Sequence, residues 1–340
     1  MASIWGGFNS FLRGVIDVIY SLVHSHGWAV VLFTLLIKLV LTPFDVKSRR
    51  SMRKMSALNP KIQAQQKKYA NDKEKLQQNQ AELYKKEKIN PLAGCLPMLL
   101  TMPVLFAMFA VMRSVANEEL ARILLTIHNA VGTLTDPAEI RAALDGLTSS
   151  GALRFENWLW IKNLWMADSP FASVLPLNAT AVQLPVIAGL LEQTQLDAIK
   201  AFMGTVSYQE VLNYFNAVPL PGATINLIVF QLTVYRNPNG YFILPILAAV
   251  TQYLSSVLTP MDASQQTAQT GQAQSTGQMM KIFMPLFSVW ICSTSNAAFS
   301  LYWVVTNIFM MAEQWLLNMY FAAQDRKAAA NQRAKEAQEW

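Results

Sequence analysis

The run GWAVVLFTLLIKLVLTP, Gly27 to Pro43, is apolar except at Thr34, Lys38 and Thr42. Its 17 residues meet the lower end of the roughly 17–25 that a bilayer-crossing helix needs. At about 1.5 Å per residue, Lys38 lies about 16 Å from Gly27 and about 7 Å before Pro43. A charge at the centre of a span costs about 2.5–3.5 kcal/mol on insertion scales, so it tends to face protein or water. Thr34, Lys38 and Thr42 step by four and share one helix face. Two readings stay open: a wet cavity with Lys38 as its positive charge, or a lysine that snorkels to nearby headgroups.

Working outward, three more regions are apolar at this scale. Gly94 to Met112 and Tyr241 to Leu258 carry no charge, and Ile282 to Asn318 carries only Glu313. The last is too long for one span, and Ser293-Thr294-Ser295-Asn296 is the polar run where it would turn back. Five spans follow, at 27–43, 94–112, 241–258, 282–295 and 297–317. The composition agrees: 53% of the 340 residues are hydrophobic and 14% charged, against about 25% charged in soluble domains. Two Cys do not frame a disulfide-rich secreted fold. Residues 1–26 differ. Ile4, Phe8, Phe11, Leu12, Val15, Ile19 and Leu22 recur at helical spacing with Arg13 and Asp17 opposite, the pattern of an amphipathic helix in the membrane interface. The start lacks the basic and uninterrupted apolar regions of a signal peptide, or a transit-like leader, so a bacterial plasma membrane is expected.

Charge sets the orientation. Between Phe44 and Ala93 there are 13 Lys+Arg against five acids, whereas Arg113 to Gly240 holds seven bases and ten acids. The tail from Asn318 carries Arg326, Lys327, Arg333 and Lys335. Basic loops stay in the cytoplasm, which puts 44–93, 259–281 and 318–340 inside, 113–240 outside, and the N-terminus outside. The 259–281 loop, rich in Gln, Ser, Thr and Gly, reads as flexible. Within 44–93, Asn59-Pro60 starts a helix, Asn71-Asp-Lys-Glu74 has capping-box spacing, and Asn90-Pro91 ends a second helix. Ile62, Tyr69, Leu76 and Leu83 recur every seven residues, a thin seam for an antiparallel hairpin. Its basic surface, with Arg49, Arg50, Arg53, Lys54, Lys61, Lys85, Lys86 and Lys88, suits either anionic lipid or a docked protein or ribosomal RNA.

Other spans also carry polar residues. Ser300, Asn307 and Gln314 step by seven, with Trp303 and Met310 alongside; Gln252, Ser255, Ser256 and Thr259 share a face; Thr101 sits mid-span. These residues either line a cavity with Lys38 or join helices by hydrogen bonds worth about 0.6 kcal/mol on average. The 16 Met suit packing or an adaptable surface. No phosphate-binding loop, His-Glu-x-x-His or nucleophile elbow is present, so no catalytic centre, metal or nucleotide is indicated.

Several ordered motifs carry a resemblance. Lys38-Leu-Val-Leu-Thr-Pro43, Leu58-Asn-Pro-Lys-Ile-Gln63 and Leu83-Tyr-Lys-Lys-Glu-Lys-Ile-Asn-Pro-Leu-Ala-Gly-Cys-Leu-Pro97 come first. Met102-Pro103, Trp158-Leu-Trp-Ile161, Ile243-Leu-Pro-Ile246, Met284-Pro285 and Leu301-Tyr-Trp-Val-Val-Thr-Asn307 follow. Together they resemble the YidC/Oxa/Alb family of membrane protein insertases. The resemblance implies an all-α membrane protein with five transmembrane helices around a positively charged hydrophilic groove, open to the cytoplasm and to lipid and closed outside. It implies a cytoplasmic hairpin that captures nascent membrane proteins, and no cofactor, with the ribosome and a Sec translocon as open partners and DNA not among them. Three departures stand out: Lys38 replaces the usual Arg and loses its fork geometry, Thr101 stands where Gln is common, and the outer loop is expanded at about 114–156 and 171–240.

The expected mechanism is nucleotide-free. Lys38, with Thr34, Thr42, Thr101, Gln252, Ser300, Trp303 and Asn307, would form a groove that attracts the acidic tail of an entering chain and shortens its dry path across lipid. The alternatives are a secondary transporter of an anionic solute, for which no internal repeat is visible, and a passive folding chaperone.

Overall fold

The computed structural model describes residues 2–69, 72–87, 96–181, 183–185, 191–226, 231–258 and 273–336. The chain is mostly helical and divides into two compact units. The first, here the loop unit, comprises Met1–Phe33, Leu105–Ala248 and Phe287–Val304. The second, the hairpin unit, comprises Thr34–Val104, Ala249–Leu286 and Val305–Trp340. Among the described residues, one helical stretch, His26–Ser51, is both long and apolar enough to cross a bilayer; Ile243–Leu258 and Lys281–Thr294 are shorter apolar helices.

Helix α1 (Ala2–Val23) opens the loop unit. Leu12 and Ile16 are buried, while Phe11, Val18 and Leu22, at steps of seven and four, are exposed. Arg13 makes a two-pronged ion pair with Glu118, with Nη2 donating to Oε2 at 2.6 Å. Helix α2 (His26–Ala57) contains Pro43 and runs on beyond it for more than three turns. Pro43 cannot donate to Leu39 O, yet the helix does not stop there. The basic residues from Lys47 to Lys54 therefore extend α2, where the sequence places them in the hairpin loop. The hairpin is α3 (Asn59–Lys68) and α4 (Lys73–Lys86). Ile62 is buried in its seam; Tyr69, Leu76 and Leu83 are half-buried. Helix α4 is capped one residue later than the capping-box spacing suggests: Asp72 Oδ1 accepts from the Lys75 N–H at 3.0 Å. Asn71, Lys88, Asn90, Pro91 and Cys95 lie outside the described residues.

Helix α5 (Leu96–Val131) continues well past Met112. Its distal part, with Leu124, Ile127 and Val131 buried, packs in the loop unit with α6 (Pro137–Ser149), α7 (Gln193–Phe202) and α8 (Val206–Tyr214). Ile140, Leu144, Ile199, Phe202, Tyr208 and Val211 complete that core. The expanded loop is thus a folded, largely helical body. It adds something an all-α expectation lacks: an antiparallel pair, β1 (Pro219–Asn226) and β2 (Gln231–Tyr235). The register slips between Pro219 and Thr224, where Gly222 takes φ +75°. Such a bulge needs a residue that tolerates positive φ.

Helix α9 (Ile243–Leu258) precedes the undescribed stretch 259–272. Helix α10 (Ala273–Thr294) starts within the segment that composition marks as a flexible loop, so 273–281 is helical. Only Ser295 and Asn296 separate it from α11 (Ala297–Glu336), which carries residues 318–336 of the tail in the same continuous helix.

Loop residues satisfy the first N–H groups of three of these helices, which have no partner of their own. Glu156 Oε1 accepts the His26 N–H at 2.8 Å. Asp168, fully buried, accepts the Tyr241 and Leu244 N–H groups at 2.9 and 2.7 Å and Trp160 Nε1–H at 3.1 Å. Asn296 Oδ1 accepts the Phe299 N–H at 2.9 Å, and Met166 O and Leu164 O accept those of Ala297 and Ala298. The Trp158–Ile161 motif, closed by reciprocal backbone bonds of 2.9 Å, begins this capping loop.

Candidate functional site

The hairpin unit reverses the usual arrangement of polar and apolar side chains. Leu36, Leu39, Val40 and Phe44 on α2, Leu254 and Val257 on α9, Ile282 and Leu286 on α10, and Ile308 and Leu316 on α11 are exposed. The buried positions of the same unit include Thr34, Lys38, Ser48, Thr251, Asn307, Glu313 and Gln314. In water, this pattern would leave a large apolar surface unpaid for. In lipid, polar and ionisable side chains turn toward protein or a water-filled cavity, and apolar ones face the acyl chains.

Lys38 is 6% exposed. Its side chain is enclosed by protein, and does not run along the surface as a snorkelling lysine would. The carboxylates whose fields reach it are Asp45 and Glu313. Asp45 lies seven residues on, and Arg49 a further four, so Lys38, Thr42, Asp45 and Arg49 form one stripe of α2. Thr42 Oγ1 donates to Lys38 O at 3.0 Å, the back-bond of a mid-helix threonine. The same hydroxyl is the side chain that reaches Glu313, and Arg49 acts on both Asp45 and Glu313. With the Thr42 proton committed to its own helix, Glu313 Oε1 has no hydrogen-bond partner.

The other expected site residues divide. Asn307 Nδ2 donates to Thr251 Oγ1 at 3.2 Å and joins α11 to α9; Gln252, beside Thr251, is half-buried. Thr34 is buried in the same unit. Ser300 belongs to the loop unit: its hydroxyl donates to Cys292 O at 2.9 Å and ties the α10–α11 turn together. Trp303, also in the loop unit, lies tilted against Phe299, ring centroids 5.8 Å apart, and leaves its buried Nε1 without an acceptor. Thr101 lies in α5, its side chain outside the described residues.

On the basic surface, Arg50, Arg53 and Lys54 are exposed on α2, Arg49 is half-buried, and Lys85 and Lys86 are exposed at the end of α4. Arg53 pairs with Asp325 and lies 4.6 Å over the Phe321 ring. Lys61 Nζ donates to Glu87 at 2.9 Å and holds that carboxyl below its usual range. Among the described residues, no three His, Cys, Asp or Glu side chains group as metal ligands would.

Sequence reasoning did not place Asp45 and Glu313 with Lys38. Glu313 carries the signal that marks Lys38, a lone charge in a long apolar run. Asp45 follows Pro43, where the first apolar run ends, so only the continuation of α2 brings it onto the Lys38 face.

The family model described as 60Kd inner membrane protein matches residues 18–220 and 183–324. The chain belongs to that family. A relative from Laribacter hongkongensis, named "Membrane protein insertase YidC", is 27% identical over 317 residues, 93% of this chain and 37% of the relative. Relatives of the same name from Ectopseudomonas mendocina and Helicobacter pylori are 45% identical over 98 residues and 36% identical over 145. Those matches cover 29% and 42% of this chain, and 17% and 26% of the relatives. The chain thus spans well under half the length of these relatives.

Proposed function

We propose that this member of the family is a membrane protein insertase of the bacterial cytoplasmic membrane, acting on nascent membrane proteins without nucleotide or catalytic chemistry. The observation that carries the reading is the inverted hairpin unit, with Lys38 buried beneath apolar faces that suit lipid. In this reading, 27–43, 94–112, 241–258, 282–295 and 297–317 span the bilayer, with the N-terminus outside and the C-terminus inside. The α3–α4 hairpin and the basic tail face the cytoplasm, where anionic lipid, the ribosome and a Sec translocon are the candidate partners. Helix α1 lies in the outer interface on its exposed Phe11, Val18 and Leu22.

The physical task is to move a short polar segment through hydrocarbon. Each unsatisfied peptide group costs several kcal/mol there. A polar groove lined by Lys38, Thr34, Thr42, Thr251 and Asn307 shortens the dry part of the path. Burial of the substrate's own apolar span then supplies the driving force, at about 25 cal/mol per Å². The test is insertion of a small membrane protein in cells depleted of their own insertase. Wild type and Lys38→Arg are expected to restore insertion, and Lys38→Ala and Lys38→Glu to fall well short. Equal insertion by all four would remove Lys38 from the mechanism.

A further inference from the structure

A recess of about 480 Å³ lies where the apolar 94–112 stretch of α5 ends, against the α10–α11 turn and the capping loop at 165–167. All of its lining belongs to the loop unit. The volume falls in the roughly 300–1,000 Å³ range of small-ligand sites. The lining is layered. Phe109 lies four residues before Arg113, and Trp290 four before Thr294, so each aromatic ring sits about 6 Å deeper along its helix than the polar residue that follows it. Trp290 is 61% exposed, as a side chain at headgroup depth is. The upper part carries Arg113, Asn117 and Ser295. No hydrogen bond or ion pair ties any of these three side chains to another described residue. Arg113 is the one charged side chain among the lining residues. An arginine at the outer end of a span runs against the bias that keeps basic residues inside. The acids that follow it on α5 are engaged elsewhere, Glu118 with Arg13 and Glu119 with Arg122.

We propose that this recess holds an anionic phospholipid of the outer leaflet, its phosphate on Arg113, Asn117 and Ser295 and an acyl chain running down past Trp290 and Phe109. The inference goes beyond the insertase reading and rests on its placement of the spans. A guanidinium presents a fork of N–H donors that matches phosphate oxygens two at a time. The lining holds no carboxylate to meet the ammonium of a zwitterionic headgroup, and Arg113 repels that ammonium, so the anionic headgroup is preferred. A free phosphate would use the three donors and leave the aromatic wall empty. A lipid uses both, because contact of its chain with Trp290 and Phe109 continues the hydrocarbon surface of the bilayer.

The test uses the full chain in liposomes and two probes that differ only in headgroup, phosphatidylglycerol and phosphatidylcholine. Each carries a photoreactive group near the top of one acyl chain, and labelled peptides are read by mass spectrometry. In wild type, the peptide containing Trp290 is expected to take about fivefold more label from the phosphatidylglycerol probe than from the phosphatidylcholine one. Arg113→Gln is expected to bring that ratio close to one, and Arg113→Lys, which keeps the charge, to hold most of it. Arg113 is exposed, so the substitution empties no packed position. Asn117→Leu shifts the ratio in the same direction and replaces Arg113→Gln where that variant fails to accumulate. Excess inorganic phosphate is expected to leave the labelling intact. A wild-type ratio near one, or a ratio unmoved by Arg113→Gln and by Asn117→Leu, overturns the inference and leaves the insertase reading standing. Displacement of the label by inorganic phosphate makes the recess a site for a free anion and overturns the lipid assignment. Failure of both probes to label α10 anywhere removes the placement of the spans, and with it the insertase reading.

Discussion

Asp168 in the loop unit and Glu313 in the hairpin unit are both buried carboxylates, at 0% and 6% exposure. Asp168 accepts three N–H donors, two of them from the first turn of α9 and the residues leading into it. Glu313 leaves one oxygen without a donor. Near-equal burial thus conceals opposite situations. A carboxylate saturated by fixed donors is structural, since its removal strands those donors. One kept short of donors adds little to stability.

That contrast is broken most directly at Asp168. Asp168→Ala strands three donors and removes a helix cap, and is expected to cost on the order of 4 kcal/mol. Thermal unfolding of the purified protein in detergent reads this as a large loss of melting temperature. Gly240→Ala probes the same cap from the other side. A Cβ there would collide with the Asp168 carboxylate and lie 3.0 Å from its Cα. The expected cost is about 1–3 kcal/mol, and a melting temperature equal to wild type would mean that the cap is looser than its bond lengths suggest. Glu313→Gln is expected to change stability by less than about 1 kcal/mol, read by the same melting experiment. A loss as large as that of Asp168→Ala would erase the distinction.

The smallest effect is expected at the Arg13–Glu118 pair, which is partly exposed. Arg13→Ala should cost about 0.2–1 kcal/mol, discounted for solvent screening. The hydrogen bond from Arg13 holds the Glu118 carboxyl below its usual range. Its contribution is therefore complete above the ordinary carboxyl value and fades as pH falls through the lowered one. Protease sensitivity of α1, compared between pH 7 and the acid range in wild type and Arg13→Ala, checks this. The two proteins should differ at pH 7 and converge in acid.

Much of the helical framework was legible in the sequence. Gly27–Pro43, Tyr241–Leu258 and the long run ending at Asn318 announce helices by composition, and Lys38 announces itself by interrupting one of them. Helix ends were less legible. Pro43 reads as a stop, yet α2 passes through it; the Gln- and Ser-rich approach to Lys281 reads as loop, yet α10 begins at Ala273. A proline or a weak helix former inside a long helix forfeits a bond or some propensity, and packing on either side can outweigh that. The β1–β2 pair was invisible because PLPGATIN carries Pro and Gly inside the strand, and a bulge absorbs the misfit.

Apolar runs, their lengths, the lone cation within one of them and the sign of each loop are properties of consecutive residues. The sequence settles them without reference to anything distant. Which carboxylate is saturated and which is not depends on atoms far apart in the chain: Asp168 with Tyr241 and Leu244, Glu313 with Thr42 and Lys38. Hydrogen bonds act over about 3 Å and have direction, so only the folded chain decides which of the acidic side chains are saturated by fixed donors and which are not.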